Sequence, residues 1–350
     1  MRFVIFGTGA VGGYIGARLS QGGHPVRFLA RPDWVDALRG RGLRLIEDST
    51  STLIPVHQAS TDLAEIIDQV EVVLLCVKAY DAKISAAELS RLVPPAVPVV
   101  SLLNGIGGEE FLVQALGLPR VLEASLTTAV QVLEPGVIRV ERERGVGLGS
   151  NHPMAAALAG AFESGGIRTR LYRSARAMKW SKLLTNMAGN VSSAILGWTA
   201  AKAMEHPGIF HMDVEALRET VRVMRAFGWR PLSLPGVPVH LLGPALLLPT
   251  TWLRPALGRI VSRGRGAKLP SLHGDIGRGR SEVYWMNGAV VEHGRRVGVP
   301  TPTNAVLMEI FDGLVRGKTS PETFRDRPGL LLDHALNAGV PGAARYNRPR

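Results

Sequence analysis

Residues 1–29 constrain this chain more than any other stretch. An apolar run at 3–6 leads into Gly7-Thr8-Gly9-Ala10-Val11-Gly12, residues 14–19 carry apolar side chains at helical spacing, and Gly22-Gly23 ends the pattern. Residues 25–29 then read as a second strand. This order predicts strand, tight turn, helix, strand. In such a turn the glycines have separate tasks. Gly7 allows the sharp reversal, Gly9 lets a diphosphate approach the backbone, and Gly12 lets the helix pack on the strand. The start of the helix then offers unpaired N–H groups to the phosphates. A glycine pattern alone is a weak signal. Set between a strand and a helix, it predicts a dinucleotide site at 7–12 rather than a merely structural turn.

The end of the second strand reports on the kind of dinucleotide. An acidic residue there would hold a ribose 2′-hydroxyl. This chain has Ala30-Arg31 instead, and a guanidinium pairs with a 2′-phosphate in bidentate fashion. Arg31 therefore points to NADP(H), against the plainer reading of a solvated surface arginine. Asp33, after Pro32, reads as a helix cap. Two further apolar runs, 71–77 and 97–103, end in Lys78-Ala79-Tyr80 and Asn104-Gly105. Residues just past the carboxyl ends of parallel strands line the ligand crevice of an open sheet. Lys78 and Asn104 are thus candidate contacts for the cofactor and the edge of the substrate. A turn at Glu134-Pro135-Gly136, with short alternating runs to 149, predicts a hairpin that closes this domain by about residue 170.

From about residue 174 the pattern changes to long helical periodicity. Lys182, Asn186 and Asn190 stand at i, i+4 and i+8, which puts one amine and two carboxamides on one face of a single helix. As a core face it would leave three polar groups needing partners. As a solvent face it is flanked by Leu183, Leu184, Met187 and Ala188. As a substrate face it has a use: a partly desolvated lysine is a tunable proton donor for ketone reduction, and the amides would hold a carboxylate or hydroxyl.

At 350 residues the chain suits two domains. The expected fold class is α/β: an N-terminal Rossmann domain over 1–170, an all-α domain over 171–330, and a tail over 331–350. Cys76 is the single cysteine and sits in an apolar run, which excludes an intrachain disulfide and fits a core residue in the reducing cytoplasm. No secretory leader is expected, because the first strand runs straight into the glycine turn. The stretch 231–253 holds no Lys, Arg, Asp or Glu and is long enough to span a bilayer. Its prolines at 231, 235, 238, 244 and 249 would break any spanning helix, so 231–267 is expected to be a Pro-rich apolar insert that packs on protein, with no membrane partner. The net charge is +12. Arg254, Arg259, Arg263, Arg265, Lys268, Arg278 and Arg280 face only Asp275 within 251–280. No aromatics interleave this basic run, so it suits an anionic cofactor or substrate and no nucleic acid is expected. No metal is expected, and a homodimer is allowed but not specified.

These motifs together carry a resemblance. Gly7 to Gly12, Lys78-Ala79, Asn104-Gly105, Lys182-x-x-x-Asn186-x-x-x-Asn190, Pro270-Ser271-x-x-x-Asp275 and Ser281-Glu282-x-x-x-x-Asn287-Gly288 resemble the ketopantoate reductases (2-dehydropantoate 2-reductases), across residue 1 to about 315. The resemblance implies a Rossmann domain followed by a helical domain with the active site in the cleft between them. It implies NADPH-dependent reduction of a small anionic 2-oxo acid, namely ketopantoate to pantoate in pantothenate and coenzyme A synthesis. It makes Lys182 the general acid, and Glu282 a carboxylate that contacts substrate and cofactor ribose and orients the lysine. On the residues alone, Glu282 reads as a surface helix charge. Asn104, Asn186, Asn190 and Ser271 match groups that bind substrate or line the site, and Lys78 and Arg31 match cofactor contacts. The chain departs from the pattern where it reads Gly197-Trp198-Thr199-Ala200, since the family often has another asparagine about ten residues past Asn190. It departs again in the longer 231–267 segment and in a Ser271-to-Glu282 spacing one residue short. Two other functions remain open: a dehydrogenase of another hydroxy acid, and an NADPH-binding redox sensor without turnover. A sensor would not need both Lys182 and Glu282.

Overall fold

The short apolar runs become strands. The computed structural model describes residues 1–255 and 269–346. Its strands are β1 (Phe3–Phe6), β2 (Val26–Leu29), β3 (Leu43–Glu47), β4 (Thr50–Ile54), β5 (Gln58–Ser60), β6 (Val72–Leu75), β7 (Val99–Ser101), β8 (Val121–Leu126), β9 (Ala129–Glu134), β10 (Val137–Arg142), β11 (Val146–Gly149) and β12 (Thr169–Tyr172). Eight form one sheet in the order β12-β11-β8-β7-β6-β1-β2-β5. From β5 to β8 all neighbours are parallel, and β11 runs antiparallel to β8. Strands β1 and β6 are buried along their whole length, as expected where helices cover both faces of a sheet. Phe3 and Ile5 pack on one face beneath the helices Ala10–Gln21 and Ala155–Ser164, while Val4 and Phe6 pack on the other with Ala82–Leu92 and Gly108–Leu116.

The hairpin expected after residue 134 is present as β9 and β10. It does more than close a domain: β10 also pairs in parallel with β3, and a second sheet forms in the order β4-β3-β10-β9. The chain divides into two compact units, one made of Met1–Lys179 with Ser233–Pro238, the other of Trp180–Leu232 with Val239–Arg350. The dividing point lies inside the helix Ala175–Met187. Part of the proline-rich insert therefore belongs to the sheet unit. There Tyr172 OH donates to Ser233 O at 2.7 Å, and Thr127 Oγ1 donates to Pro235 O at 2.9 Å.

The second unit is helical. Its longest described element, Pro207–Ala226, is buried over most of its residues, and Asn287–Arg296, Pro302–Val315 and Pro328–Asn337 pack beside it. Proline opens three of these helices, at a position where its missing N–H costs nothing. The stretch after 330, set apart in sequence as a tail, includes most of the last helix and buries Leu331, Leu332, Ala335, Val340 and Ala343. Past the strap at 233–238 the insert forms short turns at Val239–Leu241 and Leu242–Ala245, with Leu247 and Trp252 largely exposed. No described helix is long and apolar enough to cross a membrane. Of the basic run, Arg254, Arg278 and Arg280 are exposed, whereas Arg259, Arg263, Arg265 and Lys268 lie outside the described residues.

Candidate functional site

The sheet order reverses at β1, with β2 on one side and β6 on the other. A reversal of this kind opens a crevice at the carboxyl ends of the strands. The 7–12 turn follows β1, Arg31 follows β2, Lys78 follows β6 and Asn104 follows β7. The candidate cofactor residues thus share one edge of the sheet.

Within the turn each glycine meets a different constraint. Gly7 has φ +97°, and a Cβ there would lie 2.7 Å from Val77 Cγ1. A Cβ on Gly12 would overlap the Gly7 carbonyl oxygen and approach Ile5 Cγ2 to 2.7 Å. A Cβ on Gly9 would meet nothing within 4 Å, so that side of the turn is open. The first internal bond of the helix runs from Gly13 N to Gly9 O at 2.8 Å, and no side chain caps the helix start. The amides of Ala10, Val11 and Gly12 precede that bond and point off the end of the helix. Thr8 is committed elsewhere: its amide and its hydroxyl both donate to Leu29 O, at 3.1 and 3.0 Å, which ties the turn to β2. An open side and a row of helix-start amides fit a dinucleotide diphosphate.

Arg31 is 78% exposed at its side chain, 3.6 Å from Asp33 Oδ2. Asp33 is not the helix cap expected from sequence. Arg31 takes the cap position of Pro32–Arg41 with no side-chain cap bond, and Asp33 falls in the first turn. Lys78 is exposed at the start of the short turn Ala79–Asp81, and Asn104 is half-buried in the loop after β7. Burial pushes the Cys76 thiol up, so it stays protonated.

On the helical unit, Lys182 and Asn186 lie half-buried, one turn apart, on Ala175–Met187. The single continuous helix expected through Asn190 does not form. Gly189 adopts φ +61°, a left-handed conformation that ends helices, and Asn190 becomes the cap residue of the next helix, Val191–Leu196. Lys182 and Asn186 keep their common face, and Asn190 is presented from a new helix start. Asn190 is buried, and its Oδ1 has no hydrogen-bond partner among the described residues.

Ser271 is exposed at the head of the short helix Ser271–Asp275. After it Gly277 and Gly279, both at φ +73°, turn the chain. Glu282 follows and is only 6% exposed, so it is not a surface helix charge. Asp275 holds this segment from within: its Oδ2 accepts Ser281 Oγ at 2.9 Å and the Glu282 amide at 3.4 Å. Sequence reading gave Asp275 no role, although its fixed offset from Ser271 and Glu282 was the available signal.

A second pair went unnoticed in sequence. Lys179, on the helix that carries Lys182, lies 2.7 Å from Glu109 Oε1, and both side chains are almost fully buried in the sheet unit. Their partners lie 70 residues apart along the chain, and no motif links them. A groove of about 720 Å³ in the sheet unit is elsewhere. Pro98, Arg120, Glu123 and His152 line it at the amino ends of β6, β7 and β8, and none of the candidate residues takes part.

A parallel sheet in Rossmann order with a glycine turn at its reversal, joined to a helical unit carrying a lysine and carboxamides, defines an oxidoreductase of the pyridine-nucleotide class. Comparison with known proteins is specific. The family pattern described as Ketopantoate reductase PanE/ApbA matches residues 3–152, and its C-terminal counterpart matches 174–315. The chain belongs to the ketopantoate reductase family. It is 28% identical over 316 residues to a 2-dehydropantoate 2-reductase of Halobacterium salinarum, covering 89% of this chain and 97% of that one. A crystal structure of a PanE/ApbA family ketopantoate reductase from Ralstonia eutropha superposes with a TM-score of 0.76 at 28% identity, covering 91% of this chain and 99% of that one. D-mandelate dehydrogenase, solved with NADH and anilino(oxo)acetate, shares the fold with a TM-score of 0.75 at 20% identity, covering 91% of this chain and 99% of that one.

Proposed function

We propose that this protein reduces 2-dehydropantoate (ketopantoate) to pantoate with NADPH, as a cytoplasmic step towards pantothenate and coenzyme A. The observation that carries this reading is the near full-length match to relatives named 2-dehydropantoate 2-reductase, on a chain that keeps Lys182, Asn186, Asn190 and Glu282. The dinucleotide, when bound, supplies hydride to the carbonyl carbon of the substrate. Lys182 donates the proton that the developing alkoxide needs, so charge on that oxygen never builds up fully. Glu282, held in place through Asp275, orients the lysine ammonium. Asn186, Asn190 and Ser271 bind the carboxylate and hydroxyl of the substrate, and the unpartnered Oδ1 of Asn190 accepts a hydrogen bond from the hydroxyl. Among the cofactor contacts, the Ala10, Val11 and Gly12 amides take the diphosphate, Arg31 takes the 2′-phosphate, and Lys78 and Asn104 complete the edge.

A second reading keeps the chemistry and changes the acid. It is favoured by Gly197-Trp198-Thr199-Ala200, where an asparagine is common in the family. Loss of NADPH absorbance across a panel of 2-oxo acids separates the two, because the first reading requires ketopantoate to give the highest kcat/KM. Lys182→Ala should lower kcat by roughly 10²–10⁴ with little change in NADPH affinity, and Glu282→Ala should lower it too. The double variant should lose less than the two single losses combined if the pair works as a unit. A Lys182→Ala enzyme within about threefold of wild type would end this mechanism.

A further inference from the structure

The loop that carries Asn104 is short and rich in glycine, with Gly105 at φ +80° and Gly107 at φ +102°. Glycines of this kind leave a loop conformationally loose unless something outside it fixes its ends. Here both ends are fixed by one buried polar ring. At the near end, Lys179 Nζ donates to the carbonyl oxygen of Leu103, the residue just before Asn104. At the far end, Glu109 sits in the first turn of the helix that follows the loop. Glu109 Oε1 accepts Ser101 Oγ at 2.9 Å and pairs with Lys179 Nζ at 2.7 Å. Strand end, loop start and helix start are thus joined through a lysine from a fourth element.

We infer that Glu109 and Lys179 are positioning residues for the reaction, a clamp that sets the Asn104 loop for cofactor and substrate. This inference rests on the role proposed above for Asn104. A buried ion pair is a poor device for stability alone, because the cost of desolvating both charges offsets much of their attraction. It is a good device for geometry: the ammonium has one carboxylate and one carbonyl to satisfy, and both sit at loop ends. Beside it Arg176 pairs with Glu123 at 3.3 Å, and Glu123 in turn feels the charges of both Glu109 and Lys179.

Removing one charge alone would strand the other in the core, so the decisive variant is the neutral pair Glu109→Gln/Lys179→Met, compared with Lys179→Arg and Asn104→Ala. Three readouts apply to the full-length protein: the thermal midpoint, NADPH affinity by fluorescence titration, and amide hydrogen exchange over residues 102–108. The clamp requires the neutral pair to fold, to exchange the loop amides at least tenfold faster with the rest of the sheet unit unchanged, and to bind NADPH at least fivefold more weakly. Lys179→Arg, which keeps a donor to Leu103, should recover part of both losses. A folded neutral pair with wild-type loop exchange and wild-type affinity, alongside an impaired Asn104→Ala, overturns the clamp and leaves the Asn104 role standing. An Asn104→Ala protein equal to wild type in NADPH affinity and in kcat/KM overturns both.

Discussion

Gly9 and Gly12 stand in the same turn under opposite constraints. Substitution at Gly12 pushes a methyl group into the Gly7 carbonyl and Ile5, so Gly12→Ala should fail to fold or melt well below wild type. Substitution at Gly9 meets no protein atom, so Gly9→Ala should melt like wild type while its NADPH affinity falls on the order of tenfold, because the methyl occupies the approach to the diphosphate. Thermal melts paired with binding titrations test both, and a Gly9→Ala protein of undiminished affinity would remove the diphosphate from this turn. Arg31 belongs at the same scale. It faces solvent with one weak partner, an exposed pair worth little in itself. Arg31→Ala should therefore cost no stability but weaken NADPH by about 1.5–3 kcal/mol, the range for one hydrogen bond to a charged group, and leave NADH nearly untouched. Equal losses with both dinucleotides would leave Arg31 without a role in selecting NADP.

Among elements, the helix Pro302–Val315 starts on a carboxylate from another helix. Glu219 accepts the amides of Thr303 and Asn304 at 2.8 and 2.9 Å, with no exposure to solvent. Burial lifts its pKa above the ordinary glutamate value, against hydrogen bonds from Thr303 and Asn304 that pull it down. A carboxyl raised in the folded state holds its proton more tightly there than in the unfolded chain. Its contribution to stability is then complete below the ordinary glutamate range and fades as pH climbs through the raised value. Thermal midpoints measured from acid to neutral pH should show this component, and Glu219→Gln should flatten it while lowering stability by about 1–3 kcal/mol through a misplaced amide. An unchanged slope would assign the pH dependence to another group. The elements also show what a single sequence reveals. The strand, turn and helix at 3–21 were legible because the glycine spacing and the helical periodicity are local signals, even though the finished turn is also held by Leu29 and Val77. The pairing of β3 with β10 was not, since it joins Arg44 to Val137 and neither run announces its partner. Helical spacing alone carried Asn190 onto the wrong element, and Gly189 was the overlooked sign of the break. Lys182 and Glu282 were visible only as members of a spaced set. The buried environment of Glu282 comes from Asp275 and the turns around it, which no periodicity encodes.

For the molecule as a whole, charge and connectivity matter most. A net charge of +12 surrounds a proposed reaction in which substrate and cofactor are both anions. Attraction of this sort raises association rates and is screened by salt. Raising ionic strength from about 0.05 to 0.5 M should lower kcat/KM several-fold and leave kcat nearly level. A kcat/KM indifferent to salt would show that the positive charge is spread too evenly to steer ligands.

The strap at 233–238 has a consequence for how the chain is made. Every strand of the sheet unit has been synthesised by residue 172, yet the acceptor for the Tyr172 hydroxyl is Ser233 O. The ribosome must first extrude 180–232, which includes the whole of the helix Pro207–Ala226. Synthesis from the N-terminus ordinarily lets one domain finish before the next begins. Here the first unit gains its last hydrogen-bond acceptors for Tyr172 and Thr127 from six residues that are made only after the helix Pro207–Ala226.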